Sequence, residues 1–245
     1  MCTATYLPLG ANDFILTHSR DEKAIRPAAL PPRTVRVDGI DVTFPQDPQG
    51  KGTWIASGLR FGTRRTTVCL LNGAFTPHLP KPPYRHSRGL VPVHVFAYPT
   101  IESFITTYDF SNIEPLTLLI AEANRLIELR WTGNRLFMRE KNPEQPYIWS
   151  SATLYSADII RQREGWFWDW YRQNPTLSVD AIRRFHQVAG KGDAENGLRM
   201  NRQNFMLTVS LTSVVHHQED VTMLYEDFTQ SIGSQQTINP YYATA

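Results

Sequence analysis

Cysteine is scarce in this chain, with only Cys2 and Cys69 in 245 residues. Two cysteines cannot build a disulfide framework, and no CxxC pair exists to suggest zinc or dithiol chemistry. A reducing compartment suits that count. Long hydrophobic runs are missing too: no window holds the eighteen or so consecutive apolar residues that a membrane helix needs. The N-terminus lacks a basic stretch followed by an apolar signal core, so a cytoplasmic protein is expected. Charge of one sign is also short. The formal net charge is +2, and Arg64-Arg65 and Arg183-Arg184 are isolated pairs, not a basic stripe, which argues against a nucleic-acid partner. What remains, 41% hydrophobic and 20% charged, is ordinary globular material, long enough for one large domain spanning 1–245.

The pattern of strands and helices points to an α+β architecture. TATYLP (3–8) and DFILTH (13–18) are β-rich runs around the turn residues 9–12, so they predict a hairpin. Residues 26–50 are rich in Pro, Asp and Gly and read as mostly loop, with room for one short strand pair. TWIASG (53–58) and TTVCLLNG (66–73) return to strand character. The second is almost continuously apolar, as a strand covered on both faces would be. After a proline-rich loop at 76–83 come helical patterns near 87–98 and 100–108. A three-stranded meander follows over 116–140, turning at Ala123-Asn124 and Thr132-Gly133-Asn134. Residues 156–173 and 178–188 read as helices, the first capped by Ser156 or Asp158 and the second by Ser178. A terminal hairpin spans 205–215 and 221–228. Because strands group antiparallel with helices collected between them, a layered α+β fold is expected, with first and last hairpins meeting in one core.

Most candidate motifs fail on spacing. His216 and His217 are adjacent, so on a strand they face opposite ways and cannot chelate together. His78, His86 and His94 show no HExxH, and no metal is expected. GKGTW (50–54) lacks the third glycine of GxGxxG and the GK[ST] ending, so no nucleotide cofactor is expected; its glycines shape a turn before the next strand. The aromatic run GWFWDWY (165–171) is best read as packing against a sheet, with a ligand pocket as the alternative.

Three stretches resist a purely structural reading. In MCTATY, the small Cys2 behind Met1 allows removal of the initiator methionine. Cys2 would then carry a thiol and a free α-amine on one carbon. HSRDE (18–22) places Arg20, Asp21 and Glu22 at the end of the first hairpin, where the returning strand brings them near Cys2. A guanidinium beside a thiol favours the thiolate, and a carboxylate beside an α-ammonium orients it. LLNG (70–73) ends an apolar strand on Asn72, which is either the Asn-Gly turn that closes it or an amide aimed at an oxyanion.

Together these pieces resemble the NRDE family, the transport-and-Golgi-organisation group: Met-Cys at the start, Arg20-Asp21-Glu22 with Arg26-Pro27 downstream, GKGTWIASG against that family's Gly-Gly-Thr-Trp segment, and LLNG. The match is firm over residues 1–75 and thereafter is one of element order. The Met-Cys and Arg-Asp pieces are also similar to the cysteine-type N-terminal nucleophile amidases, the penicillin V acylase and bile-salt hydrolase group. The resemblance implies an αββα sandwich of two antiparallel sheets covered by helices. It implies Cys2 as nucleophile with its own amine as base, Arg20 beside the thiol, Asp21 on the amine and Asn72 on the oxyanion. It implies hydrolysis of a small-molecule amide through a thioester, or a ligand-binding or trafficking role on the same fold. Three departures stand out. Ser19 replaces the signature Asn. YIWSSATLYS (147–156) offers Ser150 and Ser151 where the amidases carry a second Asn. A late arginine is missing from SLTSVV, with Arg199 and Arg202 as its nearest substitutes.

Overall fold

The computed structural model describes residues 2–10, 12–60, 64–122 and 124–238. Met1, Ala11 and Ala123 fall outside that set, so the expectations resting on them, removal of Met1 included, lie outside the described residues.

Two seven-stranded antiparallel sheets make up the frame. One contains β1 (Cys2–Gly10), β2 (Asp13–Lys23), β10 (Tyr147–Ser150), β11 (Asn201–Arg202), β12 (Met206–His217), β13 (Asp220–Asp227) and β14 (Ile232–Ile238), ordered β10-β1-β2-β12-β13-β14 with β11 on β12. The other is a meander in chain order: β3 (Leu30–Val37), β4 (Ile40–Gln46), β5 (Ile55–Arg60), β6 (Arg64–Asn72), β7 (Leu116–Glu122), β8 (Arg125–Trp131) and β9 (Leu136–Lys141). First and last hairpins meet as expected, because β2 pairs with β12 through Ser19↔Leu211 and its neighbours.

Side-chain alternation sorts the strands into layers. Cys2, Ala4, Tyr6, Phe14 and Leu16 point inward and pack on Ile55, Cys69, Leu71 and Leu119 of the facing sheet. On the outer side of the meander, Val68, Leu118 and Ile120 meet a helical stretch containing α1 (Val91–His94) and α2 (Ile101–Thr107), through Val91, Val95, Phe96 and Phe104. The apolar run of β6 is explained: Val68 serves one face, Cys69 and Leu71 the other, and both are covered. On the outer side of the first sheet, Leu7 and Ile15 meet α3 (Ala157–Gln173) and α4 (Val179–Val188) through Phe167, Ile182 and Phe185. The result is four layers, αββα.

Local chemistry sets the helix ends. Ser156 accepts from the Ile159 N–H and Ser178 from the Ala181 N–H, each satisfying an otherwise unpaired donor of the first turn. In the aromatic run of α3, Phe167 is fully buried, Trp166, Trp170 and Tyr171 pack half-buried around it, and Trp168 is exposed. Packing against the sheet is therefore its role. Residues 26–50 hold more strand than loop, since β3 and β4 pair over Arg33↔Phe44 to Val37↔Ile40. Pro31 and Pro32 are tolerated because β3 is the end strand of its sheet and its register slips between Leu30 and Arg33.

Candidate active site

The hairpin register builds the site. Cys2 pairs with Arg20, so both side chains lie on the inward face, whereas Asp21 projects to the helix-covered face. Arg20 is held from two sides. Its guanidinium lies 4.6 Å from the Trp54 ring centroid, and its Nη2 donates to Asp47 at 3.0 Å and to Glu22 at 3.5 Å. Arg26 donates to the same Asp47 oxygen at 2.7 and 3.1 Å. Burial by itself would raise the Asp47 carboxyl, but the Gly50 N–H and the two guanidiniums outweigh it and hold it below the usual carboxylate range.

Cys2 is only 3% exposed, yet it lines the cleft described below. Burial is the largest influence on its thiol and pushes it up; the Asp21 charge adds to the rise and Arg20 opposes it without reversing it. The guanidinium does favour the thiolate, as its placement suggests, but desolvation wins. Asp21 is fully buried and raised by that burial. Its carboxylate accepts from Tyr155 Oη and, at 2.7 Å, from Thr208 Oγ1, and Arg163 opposes the rise. It stands one residue beyond the Cys2 partner on β2, on the side of the Cys2 backbone nitrogen.

Asn72 ends β6, and its side-chain amide has no hydrogen-bond partner among the described residues while lining the same cleft. Asn72 also closes the strand: Gly73 follows at φ +83° and donates to the Pro115 carbonyl. The segment after β10 does reach the site. Ser151 N–H donates to the Cys2 carbonyl at 2.9 Å, and Ser151 Oγ donates to the Asn72 carbonyl at 2.6 Å. Ser150 is farther out, 3.4 Å from Thr3 Oγ1. Ser19 points away from Cys2; its hydroxyl bonds His186 Nδ1 at 2.8 Å on the helix-covered face.

Neither substitute for the late arginine reaches the cleft. Arg199 stacks on Phe228 at 4.2 Å, and Arg202 donates to the Glu195 and Leu154 carbonyls. The buried arginine near Asp21 is instead Arg163 of α3, which donates to Thr3 Oγ1 at 2.6 Å and lies 3.6 Å from the Tyr155 ring centroid. One turn before Phe167 on the sheet-facing stripe, Arg163 stands where an apolar residue belongs, and that misplacement was the available signal.

The cleft has a volume of about 720 Å³, with Cys2, Arg20, Trp54, Asn72, Arg88 and Thr153 among its walls. Arg88, Thr153 and Glu114 carried no sequence motif. Gly52 and Gly89 close one side by backbone contact: Thr53 N–H donates to the Gly89 carbonyl at 2.7 Å, and a Cβ built on Gly52 would stand 2.7 Å from Gly89 Cα. Gly52 serves that close approach, while Gly50 closes the turn at 48–50 before the strand, its N–H on Asp47 Oδ1. Among the described residues no group of three or more His, Cys, Asp and Glu could hold a metal. His216 bonds Thr67 Oγ1 inside, and His217 pairs with Asp13 outside, on opposite faces.

No protein-family model matches the sequence, and no curated protein does. No described helix is long and apolar enough to cross a membrane. Solved structures do match. Penicillin V acylase from Agrobacterium tumefaciens aligns at TM-score 0.53 and 11% identity, over 96% of this chain and 85% of that one. An arginine-to-leucine variant of conjugated bile acid hydrolase from Clostridium perfringens aligns at TM-score 0.56 and 11% identity, over 96% of this chain and 92% of that one. At such identity the likeness is one of fold: the αββα sandwich of two antiparallel sheets covered by helices.

Proposed function

We propose that this protein is a cytoplasmic hydrolase of small-molecule amides that acts through Cys2, an NRDE-type member of the N-terminal nucleophile fold. The observation that carries the reading is the meeting of three groups in one cleft: the Cys2 thiol, its register partner Arg20, and the unbonded amide of Asn72. The names of the two solved structures, an acylase and a bile acid hydrolase, support the same reaction class.

The chemistry requires removal of Met1. Free α-amines titrate near 7.7–8.0, so the Cys2 amine is a competent base at neutral pH. It takes the thiol proton as sulfur attacks the amide carbonyl carbon, and Asn72 donates to the oxyanion. Collapse breaks the C–N bond, the amine passes its proton to the leaving nitrogen, and a thioester remains. Water attacks the thioester and regenerates the thiol. Asp21, on the nitrogen side of Cys2, orients the amine. A buried, raised thiol fits this scheme, because the proton leaves only when a base and an electrophile are both in place.

A second reading, a ligand binder without turnover, is favoured by one feature. Where a second oxyanion donor is expected, Ser151 commits its hydroxyl to the Asn72 carbonyl. Intact-mass measurement of untagged protein before and after a thiol reagent separates the two. Loss of one methionine and labelling at Cys2, both tied to turnover that disappears in Cys2→Ala, supports the hydrolase. Retained methionine with an unreactive Cys2 leaves the binder.

A further inference from the structure

Among the described residues the cleft is lined by three guanidiniums and three carboxylates, yet they are not equally engaged. Each carboxylate is occupied at both oxygens. Asp47 Oδ1 accepts the N–H groups of Gln49 and Gly50, and Oδ2 accepts from Arg20 and Arg26. Glu114 takes His78 Nε2 on one oxygen and Arg88 Nη1 on the other. Glu22 accepts its neighbour's N–H and Arg20. The guanidiniums are not exhausted in the same way. Arg88 uses Nη1 alone, on the Pro115 carbonyl at 3.0 Å and on Glu114 at 3.3 Å, so Nε and Nη2 have no partner among the described residues. Arg26 Nη1 likewise has no partner among the described residues.

We propose that the cleft selects amides that carry an anionic group, a carboxylate being the simplest, and that Arg88 binds it through its unused Nε and Nη2. A cationic substrate would have to break an existing ion pair to find an acceptor; an anionic one meets guanidinium N–H groups already waiting. The fork of Arg88 suits a carboxylate geometrically, since Nε and Nη2 present two parallel donors. The residue is also pre-positioned. Gly89 beside it is pressed against Gly52, the Pro115 carbonyl anchors Nη1, and the side chain is only 16% exposed. Arg88 and Cys2 line the same cleft, so an anionic group bound at Arg88 lies in the space onto which the thiol opens. This inference rests on the hydrolase reading for the word substrate, but the anion pocket is tested separately from turnover.

The test uses Cys2→Ala protein, which cannot turn over, and calorimetric titration with N-acetyl-, N-hexanoyl- and N-benzoylglycine against the corresponding glycinamides. Each pair differs only in carboxylate against carboxamide. The expected result is at least about tenfold tighter binding of the carboxylate in one pair or more, equal to about 1.4 kcal/mol. Adding Arg88→Gln removes that preference, and Arg88→Lys restores part of it. Equal binding within every pair, a preference that survives Arg88→Gln, or no binding by any member overturns the proposal. The comparison within the Cys2→Ala protein needs no change at Arg88, so a poorly folded arginine variant does not blunt it. Turnover assays with Met1-free wild-type protein separate the two claims. A carboxylate preference without hydrolysis of any pair ends the hydrolase reading alone, and hydrolysis of both members at equal rate ends the anion pocket alone.

Discussion

Replacing Gly52 with alanine is the sharpest test of how the cleft wall is built. The new Cβ would stand 2.7 Å from Gly89 Cα and nearer still to its carbonyl carbon and oxygen. Carbon atoms rest about 3.5–4.0 Å apart, so the two segments must separate by about 1 Å. Both obstacles are backbone, so no side chain can swing aside. The separation stretches the Thr53 N–H to Gly89 carbonyl bond, 2.7 Å long in the native protein. Overpacking of this kind costs about 1–3 kcal/mol, and a lost hydrogen bond adds about 0.5–1.5. The stiffer unfolded chain of alanine returns about 0.4–1. The net expectation is a loss of about 0.5–4 kcal/mol, centred on about 2, which lowers the melting temperature by about 4–8 °C at this chain length. Gly165→Ala is the matched control. It lies exposed in α3, where an added methyl group would meet nothing within 4 Å, and alanine there should stabilise by about 0.5–1 kcal/mol. Thermal melts of the three proteins decide the matter. A Gly52→Ala protein that melts with or above wild type would show that the 50–53 and 87–90 segments are not in backbone contact.

Other outcomes are equally specific. Asn72→Ala is expected to lower kcat for a hydrolysed amide by about 10²–10³, while its melting temperature changes little, because the amide has no hydrogen-bond partner to lose among the described residues. An unchanged kcat removes Asn72 from the oxyanion role. Phe167→Ala should cost about 3–5 kcal/mol in guanidinium unfolding, since the ring is fully buried between α3, α4 and the sheet; a loss below about 1 would misplace the helix. His18, His186 and His216 are buried neutral, each with its pKa lowered to about 3 by desolvation. The unfolded chain binds those protons below about pH 6.5 while the folded one refuses them, so stability falls as pH drops from about 6.5 towards 3. The slope reaches about 1.4 kcal/mol per pH unit for each histidine. Denaturant midpoints at pH 7.5 and 5.5 that coincide would contradict this burial.

Much of the architecture was legible in residue order. Period-two alternation, capping serines and turn residues located both hairpins, the central meander and the two long helices, because each signal is local. Elements of weak local character were not legible. β14 is polar and mostly exposed at the end of its sheet, so it carries little apolar alternation. β10 is four residues long. β3 contains two prolines that only an end strand accepts. Their pairing comes from neighbours distant in the chain, not from their own composition.

The candidate site divides along the same line. Sequence by itself determined the cysteine behind Met1, the Arg20-Asp21 pair one hairpin away and the Asn72 strand end, because hairpin register is a short-range property and fixes which residues stand opposite. That Arg20 and Asp21 face opposite ways follows only from the run of β2 on to Lys23. Tertiary structure alone decided that Arg88 and Thr153 join the cleft, that Arg199 and Arg202 do not, and that the Cys2 thiol is raised despite its guanidinium neighbour. Those outcomes depend on how deeply the first strand is covered by the second sheet, and desolvation is a property of everything packed around a group, which no stretch of sequence contains.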